Sequence, residues 1–330
     1  MIVSLLLLVK NAEPYLEELL TAVFAQRHPY DLKVVAVDSG STDATAEILA
    51  RHPLRVIQIP PQDFNHGETR NLAAREADPA SKYFVYLSQD ALPADEFWLR
   101  NLIEPLEDDP VVAGTFSRHA PRPGASPSLA RQLTTVWQTG GSERLVKQMP
   151  ADPAEYERDK FFYVYFSNTS SAIRREVWEH VPFRKLDFAE DADWADRVLR
   201  AGHKLIYTPD SIVLHSHDYR IIEQFRQNVD HTEAMVALFD PPHFRRPRRM
   251  LLQLVSIPCE VVRDWRFMRA SPFYVGTRLC QRTGWILRSP LWHAVSVLGS
   301  WTGAYLDRLP GAWRKNFGRQ RRLQRGVEDR

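Results

Sequence analysis

The chain reads as an α/β protein, a mostly parallel sheet flanked by helices and followed by a helical, basic C-terminal extension. Three observations predict this. Apolar runs alternate with helical patterns through the first ninety residues, the order that builds right-handed βαβ units. Two of those runs end on a carboxylate, Asp38 and Asp90, as strand ends facing a ligand crevice do. Charge is also unevenly divided: from Arg245 onward there are 18 Lys/Arg against 5 Asp/Glu, while the preceding residues carry 25 against 36.

Residues 3–9 form the first strand; the run lacks a basic n-region and a small-residue cleavage site, so it is not read as a signal peptide. Asn11 is the expected cap of a helix from about Pro14 to Gln26, with Leu16, Leu19, Leu20 and Val23 at helical spacing. Leu32–Val37 is a second strand. The turn Asp38-Ser39-Gly40-Ser41-Thr42-Asp43 ends it and offers N-caps to a helix over Ala44–Arg51. Arg55–Ile59 makes a third strand and residues 65–78 a further helix. Tyr83-Phe84-Val85-Tyr86-Leu87 is a buried strand, closed by Asp90 and stopped by Pro93, and a helix follows around Phe97, Trp98 and Leu102.

The middle is less regular. Pro121, Pro123, Gly124 and Pro127 mark one loop, and Gly140-Gly141 another. Phe161–Phe166 and Ser170–Ile173 read as strands, and Asp191–Ala201 as a helix closed by Gly202. Leu205–Tyr207 and Ile212–His215 read as two short strands. A boundary near Pro241-Pro242 divides a domain of residues 1–240 from an extension of residues 241–330.

Hydrophobic content of 44% and charged content of 25% are those of a globular protein. Cys259 and Cys280 have neither zinc-site nor disulfide-framework spacing, which points to a reducing cytoplasm. Five of the nine tryptophans (Trp265, Trp285, Trp292, Trp301, Trp313) fall in the basic tail. With no recognisable nucleic-acid module, that tail points to an anionic membrane surface. The stretch Trp285–Leu306 has the length of a span, about 20 residues. Arg288, Pro290 and His293 within it argue instead for attachment at the interface.

Four constellations carry chemistry. Asp38, at the tip of a parallel strand, can accept hydrogen bonds from a base or ribose, or simply close a turn. In Phe64-Asn65-His66-Gly67-Glu68-Thr69-Arg70-Asn71, Gly67 permits close backbone approach and Arg70 can meet a phosphate; a capped helix is the plainer reading. Asp90 can hold a hard divalent cation or open a turn. Glu190-Asp191-Ala192-Asp193-Trp194 sets carboxylates at a helix start, where a general base is credible, and His215-Ser216-His217-Asp218 follows. Of these two histidines, one is expected to join Asp90.

In this order and spacing the motifs resemble the inverting family 2 glycosyltransferases of GT-A (Rossmann-like) fold, in particular the bacterial rhamnosyltransferase branch. The carrying residues are Val37-Asp38-Ser39-Gly40-Ser41-Thr42-Asp43, Phe64-Asn65-His66-Gly67 with Thr69-Arg70-Asn71, and Leu87-Ser88-Gln89-Asp90-Ala91. They continue through Ser167-Asn168-Thr169-Ser170-Ser171-Ala172-Ile173-Arg174, Glu190-Asp191 with Trp194, and Val213-Leu214-His215, covering roughly residues 1–220. The resemblance implies a nucleotide-sugar donor, dTDP-rhamnose ahead of UDP- or GDP-sugars, and a glycan or polyprenyl-linked acceptor in bacterial surface polysaccharide synthesis. It implies donor contacts from Asp38, Ser39, Arg70, Gln89 and Asp90, and Mg²⁺ or Mn²⁺ on Asp90 and His215. Asp191, with Glu190 beside it, would take the acceptor proton. It also implies a cytoplasmic protein, peripheral on the inner face of the plasma membrane. Ser88 stands where the family often has the first carboxylate of an Asp-x-Asp. That departure leaves open a second reading, a nucleotide-sugar-binding regulator without transfer activity.

Overall fold

The computed structural model describes residues 1–135, 140–186, 188–239, 245–310 and 317. The chain folds into two compact units, residues 1–120 with 134–215, and residues 121–133 with 216 onward. The expected boundary at Pro241-Pro242, and Trp313, lie outside the described residues.

The first unit is built on a nine-stranded sheet: β1 (Ile2–Val9), β2 (Asp31–Asp38), β3 (Arg55–Gln58), β4 (Ser81–Ser88), β5 (Leu92–Pro93), β6 (Val112–Ala120), β7 (Leu145–Lys147), β8 (Ser170–Arg174) and β9 (Lys204–Leu214). The order is β3-β2-β1-β4-β8-β6-β9-β5, with β7 also on β9. β3, β2, β1 and β4 are parallel, as the alternating pattern predicts. Beyond β4 the sheet is mixed: β8 runs antiparallel to both β4 and β6, whereas β6 and β9 are parallel. The central strands are apolar because both faces are covered, and Leu5, Leu7, Tyr83, Val85, Trp98 and Leu102 share one core. Trp98 Nε1–H donates to Ser117 Oγ and Ser170 Oγ, so its indole is buried without a lost hydrogen bond.

Several local expectations are corrected. Phe161–Phe166 is no strand: Lys160–Val164 is a short helix. Only Val164 of this helix is buried, and Phe161, Phe162 and Tyr163 are half-buried rather than alternating across a sheet. Leu205–Tyr207 and Ile212–Leu214 belong to one strand, β9, with His215 just past its end; its register against β6 slips between Thr208 and Ile212. Pro209, lacking an N–H, falls in that slip. Asn11 is not the cap of the first helix, Glu13–Phe24, which starts from Ala12 without a side-chain cap. Asn11 instead adopts φ 49°, and its Oδ1 accepts from Thr42 N–H at 2.8 Å, tying the β1 end to the turn after β2.

The second unit is helical. Helix Ile221–Phe239 groups with the basic tail because it packs tightly on helix Leu279–Ala304. Gly299 and Gly303 make that approach possible: a Cβ on either would lie 2.4 Å from a carbonyl of the facing helix. Most of the Trp285–Leu306 stretch is therefore a helix packed on its neighbours, with Leu287 and Leu291 left exposed. Trp292 is buried, and Trp285 packs against the small core of Ala125, Ala130, Met268 and Tyr274. Arg288 donates to Tyr219 O, and His293 meets the buried Asp264 at 2.9 Å. No helix among the described residues is long and apolar enough to cross a membrane.

Candidate active site

Strand register brings the first two carboxylates to one end of the sheet. β1 lies between β2 and β4, with Val9 opposite Asp38 and Leu8 opposite Ser88, so Asp38 and Asp90 emerge at the carboxyl ends of neighbouring strands. Asp38 is buried, and its Oδ1 accepts from Ser41 N–H (2.9 Å) and Ser41 Oγ–H (2.7 Å). Two other sequence candidates knit the strand ends together. Ser39 donates from N and Oγ to Val9 O. The Gln89 amide accepts from Lys10 N–H at 2.8 Å and donates to Lys10 O at 3.1 Å.

The third carboxylate arrives through β8. Ser88 N–H donates to Thr169 O, and the next residue back, Asn168, sends its N–H to Asp191 Oδ2 at 3.4 Å. Asn168, which sequence reasoning quoted without giving it a role, thus links the β4 end to the acidic run. Its Oδ1 is fixed by Ser171 Oγ–H at 2.9 Å.

Helix Glu190–Arg200 follows Ala189, which adopts left-handed φ 60°. A buried non-glycine residue there is strained, and such strain gathers at functional sites. The three carboxylates at this helix start differ in their partners. Glu190 is buried and ion-paired with Arg70. Asp193 is paired with Arg197 at 2.8 Å and Arg184 at 3.2 Å. Asp191 accepts only backbone N–H bonds among the described residues, from Ala192 and Asn168.

The electrostatics follow. Burial opposes ionisation of Glu190, but Arg70 and His66 beside it outweigh this and hold its carboxyl below the usual range. For Asp191, burial and the neighbouring Glu190 charge act in the same direction and push its pKa up to about 7. A carboxylate of that pKa can accept a proton near neutral pH and still be ionised beforehand.

Arg70 is positioned by its helix, His66–Arg75, which docks on the loop before Glu190. Asn65 caps the helix, accepting from Glu68 N–H, and donates to Leu186 O at 2.9 Å. Asn71 exchanges two hydrogen bonds with the Phe183 backbone. The close backbone approach expected at Gly67 is to Arg184, whose carbonyl oxygen would lie 2.0 Å from an added Cβ.

His215 Nε2 lies 3.5 Å from Asp90 Oδ1. His215 and His217 follow the end of β9 at Leu214, two residues apart, the spacing that shares a face in extended chain. Asp90, His215 and His217 each offer a ligand atom, and these atoms lie within 4.8 Å of one another. The expectation that only one histidine joins Asp90 is thereby corrected. One carboxylate oxygen with two imidazole nitrogens fits a divalent cation, and suits Mn²⁺ better than Mg²⁺, which prefers oxygen. Behind His215 stands His119, which sequence reasoning missed because a lone histidine in a strand carries no spacing signal. Its ring is 5.7 Å from that of His215, edge to face, and burial, with His215 nearby, drives its pKa down to about 3. A neutral ring there supports His215 without adding charge.

The glycosyl transferase family 2 profile matches residues 4–182. The chain is 31% identical over 232 residues to the O-antigen chain rhamnosyltransferase RfbN of Salmonella typhimurium, covering 69% of this chain and 70% of that protein. A second relative, the O-antigen chain rhamnosyltransferase WbaN of Salmonella anatum, is 31% identical over 60% of this chain and 61% of its own. Among solved structures, the mannosyltransferase PcManGT of Pyrobaculum calidifontis, in complex with GDP-Man and Mn²⁺, superposes with a TM-score of 0.55 at 20% identity. That likeness covers 91% of this chain and 87% of the other. TarS 1–349 of S. aureus, in complex with UDP, gives 0.53 at 18% identity, over 93% and 91% of the two chains. The fold is GT-A, and the chain belongs to glycosyl transferase family 2.

Proposed function

We propose that this glycosyltransferase moves rhamnose, with inversion, from a nucleoside-diphosphate donor to a saccharide acceptor during synthesis of a bacterial surface polysaccharide. The sugar follows the rhamnosyltransferases to which the chain is similar; dTDP-rhamnose is favoured over UDP- or GDP-sugars. The observation that carries the reading is the isolation of Asp191. It is the carboxylate of its run without an ion-pair partner among the described residues, and its pKa lies near 7.

In the reaction, Asp191 takes the acceptor hydroxyl proton as that oxygen bonds to the anomeric carbon. The carbon–oxygen bond to the diphosphate breaks from the opposite face, and the nucleoside diphosphate leaves with the bonding pair. Asp38, with Ser39 and Gln89 fixing the strand ends around it, receives the nucleotide base or ribose. Arg70 holds Glu190 and faces the donor. Asp90 and His215 would hold Mg²⁺ or Mn²⁺, which when bound neutralises the departing diphosphate. Residues 1–240 carry this chemistry; the extension 241–330 meets an anionic membrane surface, consistent with a cytoplasmic, peripheral protein and a polyprenyl-linked acceptor.

The test is a donor screen with purified protein and a saccharide acceptor, reading nucleoside diphosphate release with and without EDTA, beside Asp191→Asn. Release from dTDP-rhamnose that needs both acceptor and Asp191 supports the reading. Turnover of another sugar nucleotide in its place, or full turnover by Asp191→Asn, overturns it.

A further inference from the structure

We infer that helix Pro247–Val255 is the element by which the second unit docks on an anionic phospholipid surface, its apolar face entering the lipid and its arginines holding headgroup phosphates. This rests on the reading that the basic tail meets a membrane, and moves the contact away from the tryptophans that suggested it.

The helix has two faces. Leu251, Leu252 and Val255, at helical spacing on one side, are 59%, 60% and 70% exposed. Three large aliphatic side chains do not sit in water on one stripe of nine residues without a partner for it. Arg248, three and four residues before the leucines, heads the same stripe, where a long basic side chain can bury its stem and keep its charge at the headgroups. On the opposite side, Arg246, Arg249, Met250 and Gln253 line a cleft of about 190 Å³, closed by Trp301 and its neighbours on helix Leu279–Ala304.

That cleft fits a phosphate. Arg246 and Arg249 have no carboxylate partner among the described residues. The Trp301 indole N–H is buried with no acceptor. A buried donor without an acceptor is unfavourable, which an anionic oxygen would relieve. The charge of the surroundings agrees: residues 245–279 hold eight arginines and two acidic residues, Glu260 and Asp264. Both acids are ion-paired within this unit, Glu260 with Arg131 and Arg263, Asp264 with Arg131 and His293. An interfacial helix places its apolar face about 5–10 Å into the headgroup–acyl boundary, level with phosphates along its polar side. The next helix, Ile257–Ala270, adds exposed Val262 and Trp265, with Arg269 stacked 4.8 Å over the indole. By contrast Trp292 is buried and Trp285 packed, so neither is available to a bilayer.

The experiment is flotation of the full chain with phosphatidylcholine vesicles, with and without phosphatidylglycerol, at low and high salt. The variants are Leu251→Asp/Leu252→Asp and Arg246→Gln/Arg249→Gln, all exposed positions, with circular dichroism checking the fold. The parent is expected to float with the anionic vesicles only, and less at high salt. The aspartate pair should lose at least tenfold in partition, and the glutamine pair about 30-fold at low salt, at roughly 1 kcal/mol per basic residue. A parent that stays at the bottom overturns the membrane reading itself. Parental flotation by a folded Leu251→Asp/Leu252→Asp protein overturns the assignment of this face while keeping the membrane. Loss of binding to vesicles on addition of DNA, with retention on DNA alone, makes the partner nucleic acid and overturns both. Inorganic phosphate at millimolar concentration that abolishes flotation without lipid-dependent quenching of tryptophan fluorescence assigns the cleft to free phosphate and overturns the headgroup contact.

Discussion

Arg70 and Glu190, 120 positions apart, form a buried ion pair, and that pair sets the charge felt by Asp191. Glu190 raises the Asp191 pKa and Arg70 lowers it, after burial, which is the largest cause. The two partners therefore have opposite signatures. Glu190→Gln should move the acid limb of kcat/KM to lower pH, and Arg70→Met should move it to higher pH. Each also strands one buried charge, which costs on the order of 3–5 kcal/mol, so urea denaturation should show both destabilised. Limbs that move together, or not at all, would show that the limb belongs to another group.

Asp191→Asn should lower turnover about 10²–10⁴-fold while leaving donor affinity within a fewfold of the parent. Its stability should change in the opposite direction. A carboxyl whose pKa is raised on folding contributes stability below its unfolded pKa and loses that contribution as pH rises through its folded value, here about 7. The neutral amide avoids the loss. The melting temperature of the variant should exceed that of the parent at pH 8, with the gap closing by pH 5. A gap independent of pH would mean that Asp191 is not held protonated at low pH.

Asp90→Ala and His215→Ala should each weaken nucleoside diphosphate binding when a divalent cation is present and leave it unchanged in EDTA. With one carboxylate oxygen facing imidazole nitrogen, Mn²⁺ should support tighter binding than Mg²⁺ at equal concentration. Titration calorimetry under the three conditions measures this. Equal losses with and without the cation would make Asp90 a structural residue.

Much of this was legible in the chain. The parallel half of the sheet followed from apolar runs separated by helical spacing, and Asp38 and Asp90 stood out because each ended such a run. The mixed half was not legible: β6 and β7 lack an alternating pattern, since Val112–Phe116 is buried on both faces and β7 is only Leu145–Lys147. Phe161–Phe166 misled because an aromatic run satisfies strand propensity, whereas a short helix half-buries Phe161, Phe162 and Tyr163. The acidic run was visible, but not which member stood apart, because Arg70, Arg184 and Arg197 come from different distances along the sequence. His217 joins His215 beside Asp90 because residues two apart in extended chain share a face. In the tail, tryptophan content suggested exposure, whereas partner helices bury Trp292; the most exposed large apolar side chains there are aliphatic, Leu251, Leu252 and Val255 among them, whose spacing was present but unremarked.

Gly67→Ala separates helix propensity from docking. Gly67 lies inside helix His66–Arg75, where alanine is intrinsically better by about 0.8–1.0 kcal/mol. Propensity alone would make the variant more stable. The facing backbone predicts the reverse: an added methyl would sit 2.0 Å from Arg184 O, so the loop must retreat by an ångström or more. That loop is pinned through Asn65 to Leu186 and through Asn71 to Phe183, and overpacking of a fixed contact costs roughly 1–3 kcal/mol. The steric cost outweighs the propensity gain, and Gly67→Ala should lower the melting temperature. The loop leads through Ala189 into Glu190 and Asp191, so its displacement should also lower turnover by about 10²-fold, the scale of a 1 Å misplacement. Gly67→Ser should do the same or worse, whereas Arg75→Ala, at the exposed last residue of the same helix, should leave turnover near that of the parent. A Gly67→Ala protein that is more stable and fully active would mean that the helix does not approach the 183–186 loop as described, and that Arg70 reaches Glu190 by another route.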